Sequence, residues 1–272
     1  SVPHWAGKNF VFNGSRSGPH EVTVHAFEAA TVTITINGAS PVVQAIAADG
    51  NHTFSLATNT AYEMNSTGVI VAAQYSGASE TDPMPIMPAA KDLLGFPSSS
   101  GQLFTSVSSN NYTIYHANGS SSGGTLNLGG YVTITPQGTT SQYQPNGVRV
   151  SADSPVYARS NADSDGGCAT PFMPIGMMRK RDGLPTNSDW VAVISAVPAA
   201  VDIYDNTDTY VSTLTLSRTG TGANDPYYGR ITGANASNGY MYRSTDRFGA
   251  WYQPNNNTGA VDQDETIMFG WD

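Results

Sequence analysis

Hydrophobic and polar residues alternate with a period of two along much of the chain. They form short runs of Thr, Val, Ile and Tyr broken by Gly, Asn, Asp and Pro, the pattern of half-buried antiparallel strands. Clear cases are residues 21–27, 31–36, 131–135, 148–151, 190–195 and 213–216. In the second of these, Val32, Ile34 and Ile36 face one way and Thr31, Thr33 and Thr35 the other, which predicts a sheet with one wet face. Helix signals are scarce. The best is Ala89-Ala90-Lys91-Asp92-Leu93-Leu94, which follows Pro88 and is closed by Gly95 and Pro97, a helix of one or two turns.

Comparing the chain with itself reveals three copies of one ordered pattern. Each opens on an apolar strand (21–27, 103–107, 190–194), continues with a second (31–34, 111–115, 200–204) and turns at Asn37-Gly38, Asn118-Gly119 or Asp205-Asn206. A third alternating stretch follows at 52–56, 124–128 and 212–216. The copies close on 68–71, 147–150 and 229–232, each leading to a Tyr-containing strand at 74–76, 156–160 and 240–244. Extra turns at 152–155 and 234–239 distinguish the second and third copies from the first. Connectors rich in Met, Pro and aromatics come last, at 84–88, 170–174 and 250–254, and read as buried extended segments rather than a cofactor box. The expectation is an all-β chain of three tandem antiparallel sandwich or meander repeats, with a period of roughly 80 to 90 residues and negligible helix. The expected boundaries are 1–97, 98–182 and 183–254, followed by a docking tail at 255–272, with packing of the units about a pseudo-threefold axis as one arrangement.

Composition sharpens this picture. Only 12% of the 272 residues are charged, so Ser, Thr, Asn, Gln and Gly cover much of the surface. Twelve basic against twenty-one acidic residues give a net charge of −9, which argues against a phosphate backbone as the main partner unless basic residues cluster. The cluster Arg179-Lys180-Arg181 reads as a solvated loop. Cys168 stands alone, leaving no intrachain disulfide, thiolate zinc site or redox pair. No run reaches the ~18 apolar residues of a membrane span. The first residues, Ser1-Val2-Pro3-His4-Trp5, lack the layout of a signal peptide, while a leader already removed remains compatible with the sequence.

Candidate chemistry is sparse. Gly119-Ser120-Ser121-Ser122-Gly123 matches a nucleophile-elbow pattern but lies in a hairpin with a strand, not a helix, after it. His4, His20, His25, His52 and His116 show no metal-ligand spacing. Asn161, Asp163 and Asp165 with Gly166 resemble the opening of a calcium loop, yet Phe172 holds the place of the bidentate Glu, so the acidic-loop reading is preferred and no metal is assigned. Asp202, Asp205, Asp208, Asp262, Asp264 and Glu265 lie in turns or the tail, where solubility accounts for them better than glycoside hydrolysis does. Tyr227, Tyr228, Tyr240, Tyr242, Trp251 and Tyr252 crowd the third copy and are the expected glycan or protein interface. Ile267, Met268, Phe269 and Trp271 make the C-terminus apolar enough to dock on its own chain or a neighbour.

The order of apolar strand, Val-Thr-Ile-type strand, polar turn, alternating strand and proline-rich connector resembles the β-repeat in the N-terminal region of IgG-Fc-binding-protein-like sequences, over residues 20–254. No ligand-binding residue carries over from that likeness. The low-charge composition and the ending Asp264-Glu265-Thr266-Ile267-Met268-Phe269-Gly270 resemble structural or fibre-like proteins of tailed bacteriophages, marine ones in particular. These readings imply a non-enzymatic virion component of a tail, neck or fibre, assembled in several copies with other virion proteins and needing no cofactor. The alternative is a secreted or cell-surface adhesion module that binds glycan or protein, and a polysaccharide-active enzyme ranks third.

Overall fold

The computed structural model describes residues 5–13, 20–36, 40–57, 61–75, 84–97, 100–137, 147–161, 170–254 and 266–268. Strands dominate, in three similar antiparallel sheets that are each nearly barrel-shaped. The first unit holds β1 (Gly7–Asn13), β2 (His20–Ala26), β3 (Ala30–Ile36), β4 (Val42–Ile46), β5 (Gly50–Leu56), β6 (Ala61–Tyr75) and β7 (Met84–Pro85). The second holds β8 (Ala90–Gly95), β9 (Ser100–Thr105), β10 (Asn110–His116), β11 (Ser121–Leu126), β12 (Tyr131–Ile134), β13 (Val148–Asn161) and β14 (Met173–Pro174). The third holds β15 (Arg179–Gly183), β16 (Ser188–Ser195), β17 (Ala200–Tyr204), β18 (Tyr210–Thr215), β19 (Tyr227–Thr232), β20 (Met241–Pro254) and β21 (Thr266–Ile267).

One long strand organises each unit. The first half of β6 pairs β3 and β1 and its second half pairs β2, and β13 and β20 divide their partners in the same way. A strand whose two halves serve different partners in one nearly closed sheet must bend between them, and a register shift between Ser151 and Val156 marks the bend in β13. The strand before it closes one sheet as an outer partner of the second strand of the unit, β5 on β2, β12 on β9 and β19 on β16. Connectors then add one more hydrogen bond at the same place each time. Ile86 N donates to Ala72 O (2.9 Å), Phe172 N to Ala158 O (2.8 Å) and Met268 N to Ala250 O (2.8 Å). These three bonds fix the repeat residue by residue, with Ala73, Arg159 and Trp251 as equivalents opposite Thr23, Gln102 and Ala192.

That register corrects several expectations. Residues 52–56 fall in β5, which pairs β2, so the counterpart of β11 and β18 in the first unit is β4. Residues 229–232 likewise belong to β19, and 241–244 to the start of β20, so the third connector is 266–268 rather than 250–254. Residues 152–155 are a bulged stretch of β13, whereas 234–239 include a short 3-10 turn, Gly233–Ala236, and the two are not equivalent. Short alternating runs of Thr and small residues resemble one another in every register, and only the ladder distinguishes them. By sheet membership β8 belongs with the second unit and β15 with the third, on the far side of the expected boundaries at 97 and 182, and residues 266–267 join the third sheet.

The predicted helix at 89–94 is strand β8. Leu93 enters the second core while Leu94 enters a separate cluster against the third unit, and both are buried. Adjacent residues point to opposite faces of a strand, so an element wedged between two apolar bodies buries both only if extended. Tertiary burial here overrides the helical preference of Ala, Lys and Leu.

Each unit has its own core, and neighbouring units also share seams. Phe104 and Tyr157 of the second unit, stacked at 6.3 Å, belong to the first unit's cluster, and Tyr157 Oη contacts Met84 Sδ (3.8 Å). Between the second and third units Met87, Leu94, Phe96, Met173, Met178, Trp190, Ala192, Ile194 and Trp251 make one cluster. Backbone bonds reinforce both seams, from Ala89 N to Asn9 O (3.0 Å) and from Thr219 N and Gly220 N to Ala117 O (3.0 and 2.9 Å).

Close approach makes Gly95 irreplaceable. A Cβ there would lie 2.3 Å from Phe172 Cδ1, inside the buried ring that the second connector feeds into the core. Gly95→Ala is expected to cost roughly 1–3 kcal/mol by urea titration. An unchanged midpoint would show that Phe172 is not held against β8.

Candidate functional site

None of the six aromatics expected to form a glycan or protein interface is fully exposed. Tyr242 and Trp251 are buried, in the third core and in the seam respectively. Tyr240 and Tyr252 pack partly buried against the third core, and Tyr228 against the seam. Tyr227 also packs on the third core, with the Arg218 guanidinium 4.3 Å over its ring. The cause is positional. Tyr227, Tyr240, Tyr242 and Tyr252 lie on or beside β19 and β20 against the unit's own core, whereas Tyr228 and Trp251 face the second unit.

The tail docks on its own unit. Thr266 and Ile267 pair with Tyr252 and Trp251 of β20, and the Met268 side chain is buried in the third core. Of the two docking partners expected for the tail, its own chain or a neighbour, Ile267 and Met268 meet their own chain, at the place on β20 where Ile86 and Phe172 bind the long strands of the other units. Phe269 and Trp271 lie outside the described residues, as do His4, Asp163, Asp165, Asp262, Asp264 and Glu265. Asn161 is the last residue of β13.

Other singled-out residues serve structure. Residues 119–123 form the β10–β11 turn and the start of β11, with Gly119 at φ +89° and Asn118 Oδ1 accepting from Ser120 N (2.9 Å). This is a hairpin, as expected. His25 Nδ1 and Asn51 Oδ1 are 2.9 Å apart, and His52 meets Phe54 edge-on. His116 is buried with Nδ1 unpartnered, and burial lowers its pKa. Arg179, Lys180 and Arg181 are on strand β15 rather than in a loop, with Lys180 and Arg181 exposed. Asp205 Oδ1 caps its turn by accepting from Thr207 N and Thr209 N (both 2.9 Å), while Asp208 pairs with Arg243. Among the described residues no group of three His, Cys, Asp or Glu is placed to hold a metal, and no helix is long and apolar enough to cross a membrane.

One buried acid was not legible from the sequence. Asp182 is 1% exposed, pairs with Tyr242 across the ladder, and occupies the register position held by the core residues Phe10 and Leu93 in the other units. Its Oδ1 has no hydrogen-bond partner, and burial pushes its pKa well above the usual carboxylate value. Burial, then the nearby Tyr240 and Asp182, also raise the Tyr242 phenol.

The outer face of the second unit carries a polar depression. The depression, of about 350 Å³ counting its open mouth, is lined by Asn111, Tyr112, Thr113, Tyr115, Ser151, Ala152 and Asp153. Alternation along β10 turns Ile114 into the core and sends Asn111, Thr113 and Tyr115 outward. The ladder then sets Asn111 between Thr125 of β11 and Asp153. Thr125 Oγ1 donates to Asn111 Oδ1, and Asn111 Nδ2 donates to Asp153 Oδ2, both at 2.9 Å. Thr113 is flanked by Gly123 and Ser151. Beyond them Arg149 is paired with Asp92 (2.9 Å). None of these residues stood out in the sequence; the only available signal was the period-two spacing of Asn111, Thr113 and Tyr115.

No family model matches the sequence, and no curated protein does. Among solved structures the chain is similar to an anti-sigma factor domain-containing protein, at 9% identity over 97% of this chain and 83% of that one, with a TM-score of 0.22. It is also similar to the BSP domain of a biofilm-associated protein, at 8% identity over 95% and 61%, TM-score 0.19. A third is an adhesin from a study of host cell surface retention of a 1.5-MDa bacterial ice-binding adhesin, at 13% identity over 92% and 88%, TM-score 0.16. Scores this low carry no argument about function. None of the three is described as an IgG-Fc-binding or virion protein.

Proposed function

We propose that this chain is a non-catalytic adhesion module, a stiff three-unit body that presents polar sheet faces to a surface ligand and acts in several copies. The observation that carries this reading is the pair of apolar seams. Burying Phe104 and Tyr157 in one and Trp190 and Trp251 in the other leaves little freedom between consecutive units, as a spacer that holds a binding face in position requires. The equivalent face of the first unit differs. There Thr23 and Thr53 bond each other (2.9 Å) beside the His25–Asn51 pair, a wet surface with no apolar seam residue. The virion reading drew in part on an aromatic terminus available for docking, and residues 266–268 are engaged on their own sheet.

The test is retention of fluorescently labelled full chain on intact bacterial and eukaryotic cells, with reducing ends assayed in parallel. Saturable retention on at least one cell type without new reducing ends is expected. Sugar release would overturn the non-catalytic half of the proposal, and absence of saturable retention would overturn the adhesion half.

A further inference from the structure

Resting on the adhesion reading, we infer that the depression on the outer face of the second unit is a subsite for one neutral pyranose residue of a polysaccharide. Three features converge there and are absent together from the equivalent faces of the other units. The first is a free aromatic wall. Tyr115 has no ring or cation contact among the described residues, whereas its counterpart Tyr204 has the Arg243 guanidinium 4.3 Å over its ring and Tyr210 edge-on at 5.9 Å. In the first unit the same position is Thr35. The second is room beside the depression. Gly123, which pairs with Thr113 at the edge of the lined surface, stands where the first unit has Val43 and the third has Thr213, so only in the second unit is that flank free of a side chain.

The third feature is a fixed polar pair. Asn111 spends its carbonyl on Thr125 and one N–H on Asp153, which orients its second N–H and leaves the other Asp153 oxygen as an acceptor. A donor and a charged acceptor side by side match two neighbouring hydroxyls of a sugar ring, and a tyrosine face covers the ring's C–H surface. At a cavity volume of about 140 Å³ the depression is smaller than the ~300–1,000 Å³ of drug-sized ligand sites, so it admits one ring at most rather than an extended chain. Charge argues for a neutral ligand. Asp153 disfavours an anion, and the nearest cation, Arg149, is already paired with Asp92.

The experiment is affinity electrophoresis of the full chain through gels containing dextran, mannan, galactan or a β-glucan. Retardation by at least one is expected, weakened at least tenfold by Tyr115→Ala and by Asp153→Ala, with thermal melts unchanged because both residues are at the surface. Asp202→Ala, on the matching face of the third unit, is expected to leave retardation intact. No retardation by any of the four polymers, or undiminished retardation in the Tyr115→Ala/Asp153→Ala double variant, overturns the subsite. Those results leave the adhesion reading standing if cells still retain the chain, whereas loss of cell retention by the parent protein removes that reading itself.

Discussion

Trp251→Ala is expected to lower the stability of the chain by about 3–5 kcal/mol, the range for emptying a large aromatic site in a packed interior. Trp251 is 2% exposed, meets Phe96 edge-to-face at 5.3 Å, and donates from Nε1 to Pro171 O (3.2 Å). Its removal leaves a void among Leu94, Met178 and Ile194 and strips a buried carbonyl of its partner, two losses at one site. Because the void opens between units, the damage is to their coupling. Urea titration followed by protease susceptibility of the 175–178 connector is expected to show the seam opening before the third core unfolds. A midpoint within about 1 kcal/mol of the parent would remove Trp251 from the seam, since a buried indole cannot be lost that cheaply. Loss of sugar binding with unchanged stability would restore it as an exposed platform.

Asp182→Leu is expected to stabilise the protein at pH 7 by about 1–3 kcal/mol, the scale of an unsatisfied buried polar group. The equivalent positions in the first two units are Phe10 and Leu93, so the fold accepts an apolar side chain there. Linkage supplies a second readout. Burial raises the folded-state pKa of Asp182 above its unfolded value of about 3.9. Its contribution is therefore fully present below that unfolded value and is lost as pH rises through the folded one. Parent stability should fall across that interval, and Asp182→Leu should remove this part of the slope. Asp205 titrates in the opposite sense, its pKa lowered by bonds from Thr207 and Thr209, and it is left intact in the variant. Asp182→Asn should gain less, because an amide also needs partners in the core. A Leu variant no more stable than the parent at pH 7, with the same pH slope, would show that the carboxyl is satisfied.

How much could be read beforehand depends on what each feature rests on. The strands at 31–36 and 190–195 were legible because alternation reports which side of a strand meets the core. The triplication was legible because equivalent strands face equivalent neighbours. Register was not. Residues 52–56 and 229–232 carry the same alternation as the strands they were matched to, and a ladder is made by backbone groups that every residue shares. Burial of Trp251 and Tyr242 was misread for a related reason. An outward-facing aromatic in a lone sheet is exposed, but Trp251 faces the seam with the second unit, and Tyr242 points inward to its own unit's core.

The subsite on the second unit lies between these cases. Asn111, Thr113 and Tyr115 share a face by spacing alone, but Asp153 is far away in sequence and comes beside them only through the β10–β13 pairing. The linear order of side chains thus determined an all-β chain of three copies, since periodicity and turn chemistry are local properties. Which copies touch, which aromatics disappear between them, where the tail closes and which polar groups meet were decided by tertiary structure alone, because each depends on distances between residues that the chain itself keeps far apart.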